Sequence, residues 1–167
     1  MFVVAVIGIL AAVAVTAYSR NVRKARAGEV PVMFGEFKAK EEAYYAENGS
    51  YLGLCPTPPC DETTFFPASL PGKGAAIDIT GGVPATWTTA RIAPGRGSLY
   101  CQYAVIVGPG GTAPTGAIGV ELWDSATPAA NWYYMMAQCD WDGESAVKAR
   151  YWQRGDLAVM GRENEGR

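Results

Sequence analysis

The residues of this chain that could do chemistry are few, and the densest group is acidic. Asp140-Trp141-Asp142-Gly143-Glu144 sets three carboxylates within five positions beside a glycine. Carboxylates alternating along a turn are one way to supply the several flexible oxygen ligands that calcium takes. The segment lacks the further ligand positions and distal glutamate of an EF-hand, and Asp-Gly is a common hairpin turn. The turn is therefore preferred, with Asp140, Asp142 and Glu144 kept as a candidate calcium set. The second reactive group is the four cysteines, Cys55, Cys60, Cys101 and Cys139.

The sequence contains no histidine. That removes the commonest general base and the commonest metal ligand, and leaves any serine or cysteine nucleophile without an imidazole partner. No carboxylate pair falls in a cleft pattern, so no catalytic residue is assigned and an enzyme is not expected. There is no Gly-rich phosphate loop before a helix, no CxxC pair and no basic patch interleaved with aromatics, so neither a cofactor nor nucleic acid is implied. Phe34, Phe37, Tyr44, Tyr45, Trp132, Tyr133 and Tyr134 fit core packing better than an electron path or a sugar-binding surface.

An even cysteine count in a chain of 167 residues and net charge −2 suits paired disulfides in an oxidising compartment. Three connectivities are possible. The favoured one joins Cys55 to Cys60, which bracket only Pro56-Thr57-Pro58-Pro59, and Cys101 to Cys139, which lie on two runs that read as strands. Loop-closure entropy assigns roughly 2 kcal/mol to the short link and roughly 4 to the long one.

The elements that position these groups begin with Met1 to Tyr18, which carries no charge over its eighteen residues. As a helix at ~1.5 Å per residue it approaches the thickness of a bilayer's hydrocarbon, and Gly8, Ala11, Ala12 and Ala14 would equally suit close packing in a helical bundle. Arg20, Arg23, Lys24 and Arg26 follow it, the reverse of a signal peptide's order. An ordinary membrane anchor is the competing reading. From Ser19 to about Asn48 the pattern becomes amphipathic, with Val30, Met33, Phe37 and Tyr44 on one face. One continuous helix is expected from Met1 to about Glu47, bent near Gly28 and Pro31 and stopped at Asn48-Gly49. Asn48-Gly49-Ser50 also fits a glycosylation pattern, but a helix cap accounts for it more simply.

Residues 51–74 read as a loop rich in proline, threonine and glycine. Strand-like runs follow at Ala75 to Thr80, Trp87 to Ile92, Leu99 to Val107, Gly116 to Leu122, Trp132 to Cys139, Ala146 to Trp152 and Leu157 to Met160. In two of them Leu99, Cys101, Tyr103, Val105 and Val107, and Tyr133, Met135, Ala137 and Cys139, share apolar faces that place both cysteines inward. The fold class expected is α+β: a long N-terminal helix (1–48) whose first part (1–18) is apolar and whose second part (19–48) packs on an antiparallel β-sheet head (49–167) stapled by disulfides.

The run Val3 to Val15 followed by Ala17-Tyr18 resembles the hydrophobic N-terminal helix of the type IV pilins and their pseudopilin relatives. Glu42-Ala43-Tyr44-Tyr45-Ala46-Glu47-Asn48-Gly49-Ser50-Tyr51 resembles the segment where the pilin helix ends and the head begins. The segment from Asn131 to Gly143 is similar to a strand and turn near the C-terminus of some pilin-like proteins. Met1 matches a methionine that in the family stands two positions after a glutamate, which implies a leader, a new N-terminus and that glutamate upstream of this sequence. Thr16 stands where many relatives have the proline that helps unwind the helix from the position of Gly8.

The resemblance implies a filament subunit held in the inner membrane as a monomer. It would be polymerised by a pilus or secretion machinery into an extracellular homo-oligomer, with Val4, Ile7, Gly8, Leu10, Ala11, Ala12, Val15 and Thr16 forming the helical core. The charge order along the helix suggests either pairing between subunits, with Arg20, Arg23 and Lys24 of one beside Glu29 and Glu36 of the next, or simply a solvated face. The alternatives are a pseudopilin or minor tip subunit, and a membrane-anchored binding domain that never polymerises.

Overall fold

The computed structural model describes residues 2–70, 72–95, 97–143 and 147–165, with the backbone alone for residues 2, 5, 9 and 16. The chain opens with two helices in succession, α1 (Phe2–Ala27) and α2 (Glu29–Asn48), where one bent helix was expected. The cause of the interruption is local. Pro31 has no N–H, so the carbonyl of Ala27 loses its helical donor and is crowded by the ring. Gly28 stays in the right-handed region, and its N–H still donates to the Lys24 carbonyl at 3.1 Å. The backbone of α1 is helical through Gly8 and Thr16. At the far end Gly49 adopts φ 71° and donates its N–H to the Tyr45 carbonyl at 2.8 Å, the left-handed cap expected of Asn48-Gly49.

The head follows as β1 (Ile77–Asp78), α3 (Ala85–Thr89), β2 (Ser98–Leu99), β3 (Cys101–Gly108), α4 (Ala117–Leu122), β4 (Trp132–Cys139), β5 (Ala149–Arg154) and β6 (Gly161–Glu163). The last four strands form one antiparallel sheet in the order β3-β4-β5-β6, and β1 pairs with β2. The fold is thus α+β, an N-terminal helical stretch with a four-stranded antiparallel sheet. Cys101, Tyr103 and Val105 meet Tyr133, Met135, Ala137 and Cys139 on one sheet face, as their alternation predicts, while Leu99, expected on the same strand, lies on β2 and joins the core from there. Val30, Met33, Phe34 and Phe37 of α2 close that face into a core. Phe37 stands edge-on to Trp87 and Tyr103, at centroid distances of 5.3 and 5.6 Å. Tyr44, expected on the buried stripe, is only half-buried, and Glu41 lies there in its place.

Two expected strands are short helices instead. Before α3, Pro84 holds φ at −54°, and its carbonyl accepts the Thr88 N–H, so the Thr-rich run turns rather than extends. Before α4, Gly116 takes φ 89°, and a glutamate distant in sequence, Glu62, accepts the N–H groups of Ala117 and Gly119. The expected strand at Leu157 to Met160 does not form; the last strand begins after it, at Gly161. These helices change the architecture. The second sheet face, with Ala104, Ile106, Trp132, Tyr134 and Met136, is covered by Phe65 and by Ile118 of α4. Every residue of β4 is consequently buried.

Candidate functional site

The described side chains in the apolar section of α1 are exposed. Val4, Ile7, Leu10 and Val15 of the expected assembly helix are between 60% and 72% exposed. Ala11 and Ala12 are exposed beside them, and a Cβ at Gly8 would meet open space. The side chain of Thr16 and the whole of Met1 lie outside the described residues. Val3, Val13 and Tyr18 are exposed as well, so the section is apolar around its whole circumference, a pattern that fits a helix with neighbours on every side. Among the described residues no helix is long and apolar enough to cross a membrane, contrary to the spanning segment expected at 1–18. The apolar run gives out at Tyr18, while α1 continues to Ala27 with four cations, Arg20, Arg23, Lys24 and Arg26.

The acidic band of α2 faces its own head. Both carboxylate oxygens of Glu29 accept the Tyr100 N–H, at 3.1 and 3.2 Å, and one also accepts the Tyr103 hydroxyl at 2.7 Å. Glu36 accepts the Ala93 N–H at 3.1 Å, and Glu42 accepts the Tyr133 hydroxyl at 3.0 Å. Glu29 and Glu36, expected to pair with a neighbouring subunit, bond to the head of their own chain. Their cationic counterparts behave differently: Arg20, Arg23 and Lys24 line a groove against β5 and β6. Arg26 lies over the Tyr100 ring at 5.3 Å. The seam shifts its phenols. Burial, then the charge of Glu29, pushes the Tyr103 hydroxyl well above its ordinary range, and burial with Glu42 does the same to Tyr133.

Glu41 is the unexpected member of this seam. It is completely buried, on the helical stripe that carries Val30 and Phe37, and one oxygen accepts the Leu52 N–H at 2.8 Å. The other oxygen has no hydrogen-bond partner. Burial pushes its carboxyl up to about 8, assisted by the charge of Glu42 and opposed by the Leu52 bond. The helical period alone places position 41 on the core stripe, since it follows Phe37 by one turn.

The cysteines pair as favoured, Cys55 with Cys60 and Cys101 with Cys139. Cys101 and Cys139 stand directly opposite in the β3–β4 register. The short link closes the loop that runs on to Glu62, a residue that sequence reasoning passed over. The Glu62 carboxylate accepts from Ala117 and Gly119, each at 2.9 Å, and from the Tyr134 hydroxyl at 3.1 Å, so one side chain caps α4 and ties the loop to β4. Glu62→Ala should cost about 1–2 kcal/mol, with a smaller loss for Glu62→Gln, read from the urea midpoint. An unchanged midpoint for both would mean that α4 holds without its cap.

The acidic segment is a turn at its first residue. Asp140 is buried, its carboxylate accepts the Gly143 N–H at 2.7 Å, and its carbonyl accepts the Gly74 N–H at 2.7 Å. Asp142 lies beyond it, half-buried, and Glu144 is outside the described residues. Among the described residues no cluster of three metal-ligating side chains occurs. The candidate calcium set therefore lies partly outside the described residues, and the Asp140 carboxylate bonds within the turn. Compared with known proteins, the chain matches no family model, no curated protein and no solved structure.

Proposed function

We propose that this chain is a structural subunit of the pilin type, which polymerises through the apolar section of α1 into a filament. The observation that carries the reading is the bare arm. A helix apolar on all sides is costly in water, whereas the head carries its own two-sided core and two disulfides. Such an arm needs a host. The resemblance in its residues makes that host the inner membrane for the monomer and a bundle of identical arms in the extracellular polymer, with a pilus or secretion machinery effecting the transfer.

Moving an apolar helix between two dry surroundings gains little from the hydrophobic effect, so packing and register must supply the specificity. The small residues Gly8, Ala11 and Ala12 permit close approach of backbones. Contacts between unlike surfaces that never close then extend the assembly without limit. Glu29 and Glu36 also bond inside the subunit, so any charge pairing between subunits would share these carboxylates with the head.

The test is electron cryo-microscopy of native material from cells that carry the chain, with Leu10→Glu as the comparison. Wild type should give long filaments with α1 at the axis. Leu10→Glu should abolish them while the thermal melting of the head is unchanged, because position 10 is remote from the core. Short oligomers confined to tips or to a secretion apparatus would support the pseudopilin alternative, and monomers alone would sink polymerisation.

A further inference from the structure

We infer that a polar cleft on the second face of the sheet, beside the loop that carries Glu62, binds an acidic sugar through its carboxylate and neighbouring hydroxyls. That face is apolar at Ala104, Ile106, Trp132 and Met136, and it changes character near the end of the sheet where Cys101 faces Cys139. There Gln102 on β3, Gln138 on β4 and Arg150 on β5 stand side by side in register. Strand alternation puts all three on the face of Met136. With Lys148, just before β5, and with Glu62 and Thr63 of the loop, they line a space of about 490 Å³, a size usual for small-molecule sites.

The two glutamines are only half used by the chain. Gln102 and Gln138 are 6% and 9% exposed, and one bond fixes the orientation of each amide. The Gln102 Nε2 donates to the Pro67 carbonyl at 2.6 Å, and the Gln138 Oε1 accepts from the Lys148 ammonium at 3.5 Å. Gln102 is left with an acceptor, Oε1, and Gln138 with a donor, Nε2. Neither atom is bonded among the described residues, and neither is sealed from the cleft. Placing half-bonded amides on an otherwise apolar face costs stability, which a ligand that completes their bonds would offset.

The ligand class follows from this set of donors and acceptors. Arg150 is exposed and can hold a carboxylate through two parallel N–H bonds, with Lys148 beside it. The ion pairs among the described residues, Arg154 with Asp156 and Arg162 with Glu165, involve neither cation. Among the described lining residues the one carboxylate is Glu62, which already accepts from Ala117, Gly119 and Tyr134. An ionised carboxylate alone accepts bonds and has nothing to give the Gln102 oxygen. A hydroxyl both donates and accepts, so adjacent sugar hydroxyls satisfy the glutamine pair while the sugar's carboxylate lies on Arg150. Extended peptides bind mainly by adding to a sheet edge or by setting apolar side chains into a groove, and a polar cleft on a sheet face offers neither. This binding does not depend on whether α1 polymerises.

The experiment titrates the isotope-labelled full-length chain, held in neutral detergent, with glucuronate and follows the side-chain amide signals of Gln102 and Gln138 by nuclear magnetic resonance. Both signals should shift with an affinity in the millimolar range, and neutral glucose should bind about tenfold more weakly. Arg150→Gln, at an exposed position, should weaken glucuronate about tenfold, to the level of glucose. Gln138→Met keeps the volume and loses the donor, and should weaken both sugars about threefold or more, its fold checked by near-ultraviolet circular dichroism. Acetate binding as tightly as glucuronate would leave a simple anion subsite and overturn the sugar assignment. A triglutamate peptide that displaces glucuronate and binds more tightly would overturn it in favour of an acidic peptide. Signals that stay fixed up to about 50 mM glucuronate, or that shift equally in Arg150→Gln, would overturn the cleft itself.

Discussion

Glu41→Gln is expected to abolish a fall in stability of roughly 5 kcal/mol that the wild-type chain shows between about pH 4.5 and pH 8. The Glu41 carboxyl, raised by burial to about 8 from an ordinary value of 4.5, keeps its proton in the folded chain over this window. The unfolded chain releases that proton first as pH rises. Folding then holds a proton that the unfolded state has lost, so stability falls with pH. Below about pH 4.5 both states are protonated and the group contributes nothing to the slope. Above about 8 the folded chain must hold a buried carboxylate with only the Leu52 N–H bonded to it, and the loss is complete. Glutamine keeps an acceptor for Leu52 and has nothing to ionise. Urea midpoints at pH 5, 7 and 9 should therefore separate progressively, with the variant the more stable at pH 9. Parallel curves for the two proteins would show that Glu41 reaches water when ionised.

What could be read in advance, and what could not, divides by the range of the interaction. β4 runs from Trp132 to Cys139 as its alternation indicates, because a strand's period of two is visible within eight residues. Asn48-Gly49 ends α2 because a left-handed cap is a property of the glycine itself. The disulfide pattern follows from the same local logic, two cysteines on inward strand positions. The failures are contacts between residues far apart in sequence. Glu62 reaches Ala117 across 55 positions, and Glu29 reaches Tyr103 across 74. No periodicity announces either bond. Without the first, Gly116 to Leu122 reads as a strand. Without the second, the α2 glutamates read as an open surface awaiting a neighbour. The buried second face of the sheet was hidden for the same reason, since Phe65 reaches it from a loop and Ile118 from α4.

Replacing Cys101 and Cys139 together by alanine should lower stability by roughly 4 kcal/mol, about twice the loss for the matching Cys55 and Cys60 pair. The longer link spans a sequence separation of 38 and the shorter one 5, so the first removes more freedom from the unfolded chain. Position adds to the difference. Cys101 and Cys139 are fully buried where β3 and β4 begin and end their pairing, beside the α2 core. Alanine at both sites leaves space where two sulfurs had packed. The segment between them contains α4, so loosening one end loosens the cover on the second face. Urea unfolding of the two double variants under oxidising conditions checks the ordering. Equal losses would mean that strand pairing and core packing already hold the 101–139 loop, and that the link adds little beyond what the sheet provides.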